Sequence, residues 1–198
     1  MPLGANKAAI MGVAGVSTAS VVLLSSQTAS NSASLSFTSD ITSTYGEYIF
    51  KFYKINPATD MTTFGFQCNA TDSTSYDETI TSSFFRAYHV EGSSADVGYE
   101  GGADQAQGTA QVMISNDSQL SSDANAHISG EMHLFNPSST TYVKHFYTRS
   151  ACLEGSSATV ATDNYKAGYV NTTTAIDDVK FYMASGNFDG VIKMWGVK

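Results

Sequence analysis

Two runs of alternating side chains near the end of this chain constrain its fold more than any other feature. In Val179-Lys180-Phe181-Tyr182-Met183, the residues Val179, Phe181 and Met183 share one face, and Lys180 and Tyr182 share the other. The pattern returns in Val191-Ile192-Lys193-Met194-Trp195-Gly196-Val197-Lys198, beyond a Gly/Asn/Asp-rich stretch at residues 184–190. Period-two alternation on both sides of such a turn predicts a β-hairpin. No amphipathic helix of useful length occurs anywhere in the chain, and no internal repeat.

The alternation recurs throughout. Strands are expected at 20–28, 32–38, 47–56, 62–70, 78–90, 97–99, 109–115, 127–135, 141–152 and 159–170, ahead of the final pair. The spacing in 78–90 also fits a short helix. In 47–56, Tyr48, Phe50 and Phe52 point one way, while Ile49, Tyr53 and Ile55 point the other with Lys51 between them. A strand apolar on both faces belongs in the middle of a sandwich or at a subunit interface. Phe64, Phe66 and Cys68 are expected inward. The runs at 127–135 and 141–152 predict a second hairpin across residues 136–140, where Asn136-Pro137 initiates the turn. About ten to twelve short antiparallel strands at steady spacing describe an all-β, jelly-roll-like β-sandwich. It is expected over residues 20–198, after a Gly/Ala-rich N-terminal docking arm at 1–19. Small residues let an arm's backbone lie close against a partner, and Leu3, Asn6, Lys7, Ile10, Met11 and Val13 are its candidate docking residues.

Composition excludes several functions. The chain has 198 residues and a net charge of -8, and its 10 Lys and Arg are scattered, so no basic patch offers itself to nucleic acid. The 11 Phe and 11 Tyr argue against disorder despite the Ser- and Gly-rich background. Cys68 and Cys152 stand far apart in sequence and read as two buried thiols, with a disulfide as the alternative. Lys7 and the apolar run after it imitate a signal peptide poorly, because Gly12 and Gly15 interrupt the run. No stretch approaches the roughly 18 apolar residues of a membrane span.

The search for chemistry yields little. His133 and His145 on the second hairpin, with Glu131 nearby, would make a metal site only if the register brought both rings together, and a one-residue slip separates them. The acids lie in loops, apart from Glu131, so no strand carries the carboxylate pair of a glycosidase. Neither a nucleophile elbow nor a phosphate-cradling glycine loop occurs. Gly101-Gly102-Ala103-Asp104, with Asp96 and Glu100, offers oxygens without calcium-binding spacing. Tyr76 and Tyr99 are candidate glycan-facing rings, and Trp195 reads as a packing aromatic. No catalytic residue, metal or cofactor is expected.

Four segments carry a resemblance. They are Met1-Pro2-Leu3-Gly4-Ala5-Asn6-Lys7, Val22-Leu23-Leu24-Ser25-Ser26-Gln27-Thr28-Ala29-Ser30, Leu134-Phe135-Asn136-Pro137-Ser138-Ser139-Thr140-Thr141-Tyr142-Val143-Lys144-His145-Phe146 and Met183-Ala184-Ser185-Gly186-Asn187-Phe188-Asp189-Gly190-Val191-Ile192-Lys193-Met194-Trp195-Gly196. Through them the chain resembles small jelly-roll virion structural proteins of marine tailed phages, a capsid-decoration and fibre-like group. Trp195 stands where a Tyr is commoner. The resemblance implies a non-enzymatic virion protein, displayed on the particle surface as a capsid decoration, cement or fibre component. It implies anchoring through the N-terminal arm to major capsid or tail proteins, and a homotrimer. The alternative it leaves open is a tail-fibre or receptor-binding module that recognises host surface carbohydrate. No catalytic residues carry over.

Overall fold

Alternation becomes strand almost everywhere it is found. A computed structural model describes residues 20–117 and 120–198, so the arm with Leu3, Asn6, Lys7, Ile10, Met11 and Val13 lies outside the described residues. The strands are β1 (Val21–Ser32), β2 (Ser34–Phe37), β3 (Glu47–Pro57), β4 (Phe64–Ala70), β5 (Ile80–Val90), β6 (Ala95–Tyr99), β7 (Gln105–Gly108), β8 (Val112–Met113), β9 (Ile128–Phe135), β10 (Lys144–Glu154), β11 (Val160–Val170), β12 (Ile176–Met183) and β13 (Phe188–Val197). Every pairing among them is antiparallel. The run at 78–90 is strand through β5 and not helix. The unexpected strand is β7, which is short and polar and has no alternation to announce it. The run at 109–115 shrinks to β8 because the carbonyls of Thr109, Ala110 and Gln111 accept hydrogen bonds from the Gln67 and Gln105 side chains.

The large sheet runs β1-β13-β3-β9-β10-β11-β5-β6, with β7 also on β5, and the small sheet runs β2-β12-β4-β8. The chain changes sheet at β1–β2, β2–β3, β3–β4, β4–β5, β7–β8, β8–β9, β11–β12 and β12–β13. Eight strands, β1-β13-β3-β9 facing β2-β12-β4-β8, therefore form a jelly roll. The other strands extend its large sheet. The expected all-β sandwich is the observed fold.

One expectation is overturned. The last two alternating runs are strands, but they do not form a hairpin: β12 pairs with β2 and β4, while β13 pairs with β1 and β3. The link at 184–187 crosses from one layer to the other. Alternation specifies which side chains face the core and is silent on the neighbouring strand. The crossing sets Val179, Phe181 and Met183 of one layer opposite Ile192 and Met194 of the other, and all five are buried. Gly186 makes the link feasible: its φ is 74°, and a Cβ there would stand 2.1 Å from Thr59 Oγ1.

Between the layers lies an aromatic core. Phe181 contacts the rings of Phe37, Phe50, Phe52, Phe64 and Phe66 at centroid distances of 5.2–6.2 Å. Cys68 is fully buried among apolar neighbours, Cys152 is buried beside Thr162, and both are free thiols that burial pushes to higher pKa. Ile55 departs from its expected face. The β3 register slips between Phe52 and Ile55, and Lys54 has φ 53°, so the extra residue turns Ile55 into the core.

Beyond the jelly roll, the inner face of β10, β11 and β5 is covered by loops, and its buried side chains include Thr148, Ser150, Glu154, Thr162, Asn164 and Lys166. Ser150 Oγ donates to Ile114 O, and Lys166 Nζ donates to Ala103 O. Burial lowers the Lys166 ammonium from 10.5 to about 7. Its folded value lies below the unfolded one. Stability from this group is thus gained as pH rises from about 7 toward 10.5 and lost as pH falls through about 7. Lys166→Met removes that dependence. The stability of the variant minus that of the wild type should fall steadily between about pH 7.5 and pH 9.5 in urea titrations, and a flat or rising difference there would contradict the assignment.

Candidate functional site

The outer face of the large sheet is unusual for a protein surface. Nine large apolar or aromatic side chains are exposed among the described residues. Seven of them, Val21, Leu23, Tyr53, Phe85, Val97, Tyr99 and Tyr147, lie on this face. Register assembles them. One row across the strands reads Lys193, Lys51, Glu131, Arg149, Tyr165, Phe85, Tyr99. A second reads Leu23, Trp195, Ile49, His133, Tyr147, Ala167, Ser83. A third, on the opposite side of the first, holds the small residues Ser129, Ala151 and Ala87 around Asp163, and ends at Val97.

Large rings and charged groups beside small residues carve the face into depressions. One, of about 530 Å³, lies over Ser129, Gly130 and Ala151 and is walled by Lys51, Tyr53, Glu131, Arg149 and Asp163. A second of about 280 Å³ sits over Ala167 between Tyr147 and the Phe85–Tyr165 pair, and shares Arg149 with the first. A third of about 360 Å³ over Ala87 and Ala161 shares Asp163. All are shallow and open.

The charges here are held in place. Arg149 Nε and Nη2 donate to the two Asp163 oxygens at 3.2 and 2.8 Å. Tyr165 OH donates to Asp163 Oδ2 at 2.8 Å, and its ring lies 5.0 Å from the Arg149 guanidinium and stacks on Phe85 at 4.9 Å and 4°. The hydrogen bonds from Arg149 hold the Asp163 carboxyl below its ordinary pKa. Lys51 pairs with Glu131 at 3.5 Å, and His133 Nδ1 lies 2.5 Å from Glu47 Oε1. The His133 ring stacks on Tyr147 at 4.4 Å and 14°. Burial raises the Tyr147 phenol, with Glu131 and Glu47 adding to the effect.

The expected candidates fall differently. Tyr99 lies on this face at its far strand and bonds Asp104, whereas Tyr76 sits against Lys180 and Asp178 over the small sheet's outer side. The two candidate glycan-facing rings are thus on opposite sides of the sandwich. Trp195 is not in the core; it lies half-buried on the outer face with the Lys51 ammonium 5.9 Å from its ring. His133 and His145 both point outward but two positions apart along the sheet: Tyr147 stands opposite His133, and His145 lies by Tyr169. Among the described residues, no group of three or more His, Cys, Asp or Glu is placed to hold a metal ion. Glu100 binds Arg86 and Asp96 caps Val97 N, so the oxygens considered for calcium are engaged separately.

Arg149, Asp163, Tyr147 and Tyr165 are not visible as a site in the sequence, since only register unites them. Their faint signal is aromatics on both faces of one strand, as in β3 and at Phe84-Phe85 in β5. No protein-family model, no curated protein and no solved structure matches this chain.

Proposed function

We propose that this protein is a non-enzymatic structural component of a phage virion surface, a capsid decoration, cement or fibre protein. In this reading, residues 1–19 anchor it to other virion proteins and the sandwich presents the outer face of its large sheet. The observation that carries the reading is that face: broad, aromatic and shallow, with no group of three or more His, Cys, Asp or Glu placed to hold a metal ion among the described residues. Such a surface binds rather than reacts. The resemblance of residues 1–7, 22–30, 134–146 and 183–196 to virion proteins supports the setting.

Homotrimeric assembly belongs to the same proposal. We assign the contact between copies to β1, which borders the large sheet and carries neither a charge nor a proline in its 12 residues. Natural edge strands are commonly blunted by a charge, a proline or a bulge. β1 has register irregularities at Leu23/Ser25 and Ala29/Ser32, and the stretch between them, Ser25–Ala29, is the edge we assign to the contact. Contact there leaves the outer face open.

Deletion of residues 1–19 tests the reading. The truncated chain should keep its circular dichroism and melting temperature, sediment as three copies, and fail to enter particles. Incorporation at the wild-type level would remove the anchoring role, and a monomeric wild-type chain would remove the trimer.

A further inference from the structure

Charge at the centre of the outer face narrows what can cover it. A second copy or another apolar protein surface would bury Lys51, Glu131, Arg149 and Asp163 at the middle of the contact, where protein interfaces are depleted of Lys, Glu and Asp. These groups do not invite an ion either. Lys51 is matched by Glu131 and Arg149 by Asp163, so the groove is locally balanced although the chain carries -8. What remains is a ligand that is apolar on its faces, rich in hydroxyls at its edges, and uncharged.

We propose that the groove over Ser129, Ala151 and Ala167, divided by the Arg149–Asp163 pair, binds a neutral oligosaccharide. This deepens the reading above, because it rests on the outer face being the free, working surface of the sandwich.

The geometry suits sugars at each point. The two adjoining depressions share Arg149, so one ligand spans both. The smaller depression, between Tyr147 and the Phe85–Tyr165 stack, receives the C–H face of a pyranose ring, because rings offer large apolar area at little entropic cost. The larger one surrounds its occupant with planar polar groups. Arg149 retains donors beyond the two N–H groups given to Asp163, and Glu131 offers acceptors, an arrangement that grips adjacent hydroxyls in pairs. Asp163 is held by Arg149 and Tyr165, so the polar part of the groove is ordered before the ligand arrives and little freedom is lost on binding. The combined volume, about 530 and 280 Å³, accommodates several linked sugar units.

The full-length protein is applied to an array of neutral hexose and N-acetylhexosamine oligomers, with sialylated and sulfated oligomers as the acidic arm. Hits are then titrated calorimetrically. Neutral oligomers of several units should bind, and Arg149→Ala and Tyr147→Ala should each weaken binding at least tenfold. Tyr142→Ala, an exposed ring outside the groove, should leave it unchanged. Binding confined to acidic oligomers, binding indifferent to both groove variants, or no binding at all overturns the proposal. So does self-association that Tyr147→Ala abolishes, which would give the face to a second copy. Particle incorporation of Arg149→Ala is measured in parallel and should stay normal, so failure of saccharide binding is distinguishable from failure of the virion reading.

Discussion

Replacing Phe181 by alanine should destabilise the protein by about 3–5 kcal/mol, the range for deleting a fully buried aromatic ring from a close-packed core. Phe181 sits at the upper end of that range because five other rings converge on it. Phe37, Phe64 and Phe66 come from the small sheet, and Phe50 and Phe52 from the large one. Jelly-roll layers meet face to face with little besides side chains between them, so a hole here opens the interface of both sheets at once. Edge-to-face contacts with Phe37 and Phe52 add favourable ring electrostatics that an aliphatic replacement would not restore. Phe181→Leu should therefore recover only part of the loss. Urea titration with circular dichroism gives the answer, and a cost under about 1 kcal/mol would mean that the layers collapse onto the cavity.

Arg86→Ala should cost a similar amount for a different reason. The Arg86 guanidinium spans Glu100 and Glu154, both at 2.8 Å, and the Glu154 side chain is only 2% exposed. Breaking a buried pair strands its partner, at roughly 3–5 kcal/mol. The pH dependence separates this from lost packing. Burial raises the Glu154 carboxyl above its ordinary value even with Arg86 opposing it. A carboxyl raised on folding contributes stability that is present below its unfolded pKa and lost as pH rises through its folded one. Without Arg86 the rise is larger, so the deficit of the variant should be smaller at pH 5 than at pH 8. A deficit that is equal at both would assign the effect to the lost stacking of the Arg86 guanidinium over the Tyr88 ring, 4.7 Å away.

Much of the fold was legible because burial imposes parity. Phe64, Phe66 and Cys68, or Val179, Phe181 and Met183, face the core as alternation requires. Two things were not legible. Parity fails at irregularities, as where the bulge at Tyr53 and Lys54 reverses Ile55. Parity also does not name a neighbour, so β12 and β13 read as a hairpin although they belong to opposite layers. The same blindness hid the groove. Glu131 stood out as a carboxylate within a strand, but Arg149 and Asp163 meet only because β10 and β11 pair with Ala151 opposite Asp163. Tyr76 and Tyr99 read as candidate rings from their place in polar loop segments, and that place does not say on which side of a sandwich a residue lies.

The position of β13 between β1 and β3 has a kinetic consequence. Strands made early in synthesis wait for one made after them all: until residues 188–197 emerge, β1 has no partner in the large sheet and β3 is open on one side. Local hairpins such as β9–β10 can zip at once, but closing the jelly roll requires a contact that spans the described chain. Folding of this kind is slow, and it leaves the uncharged β1 exposed during translation. Newly made chains at high local concentration would then meet through β1 before β13 claims it, so the order of synthesis itself sets a race between completing one molecule and joining two.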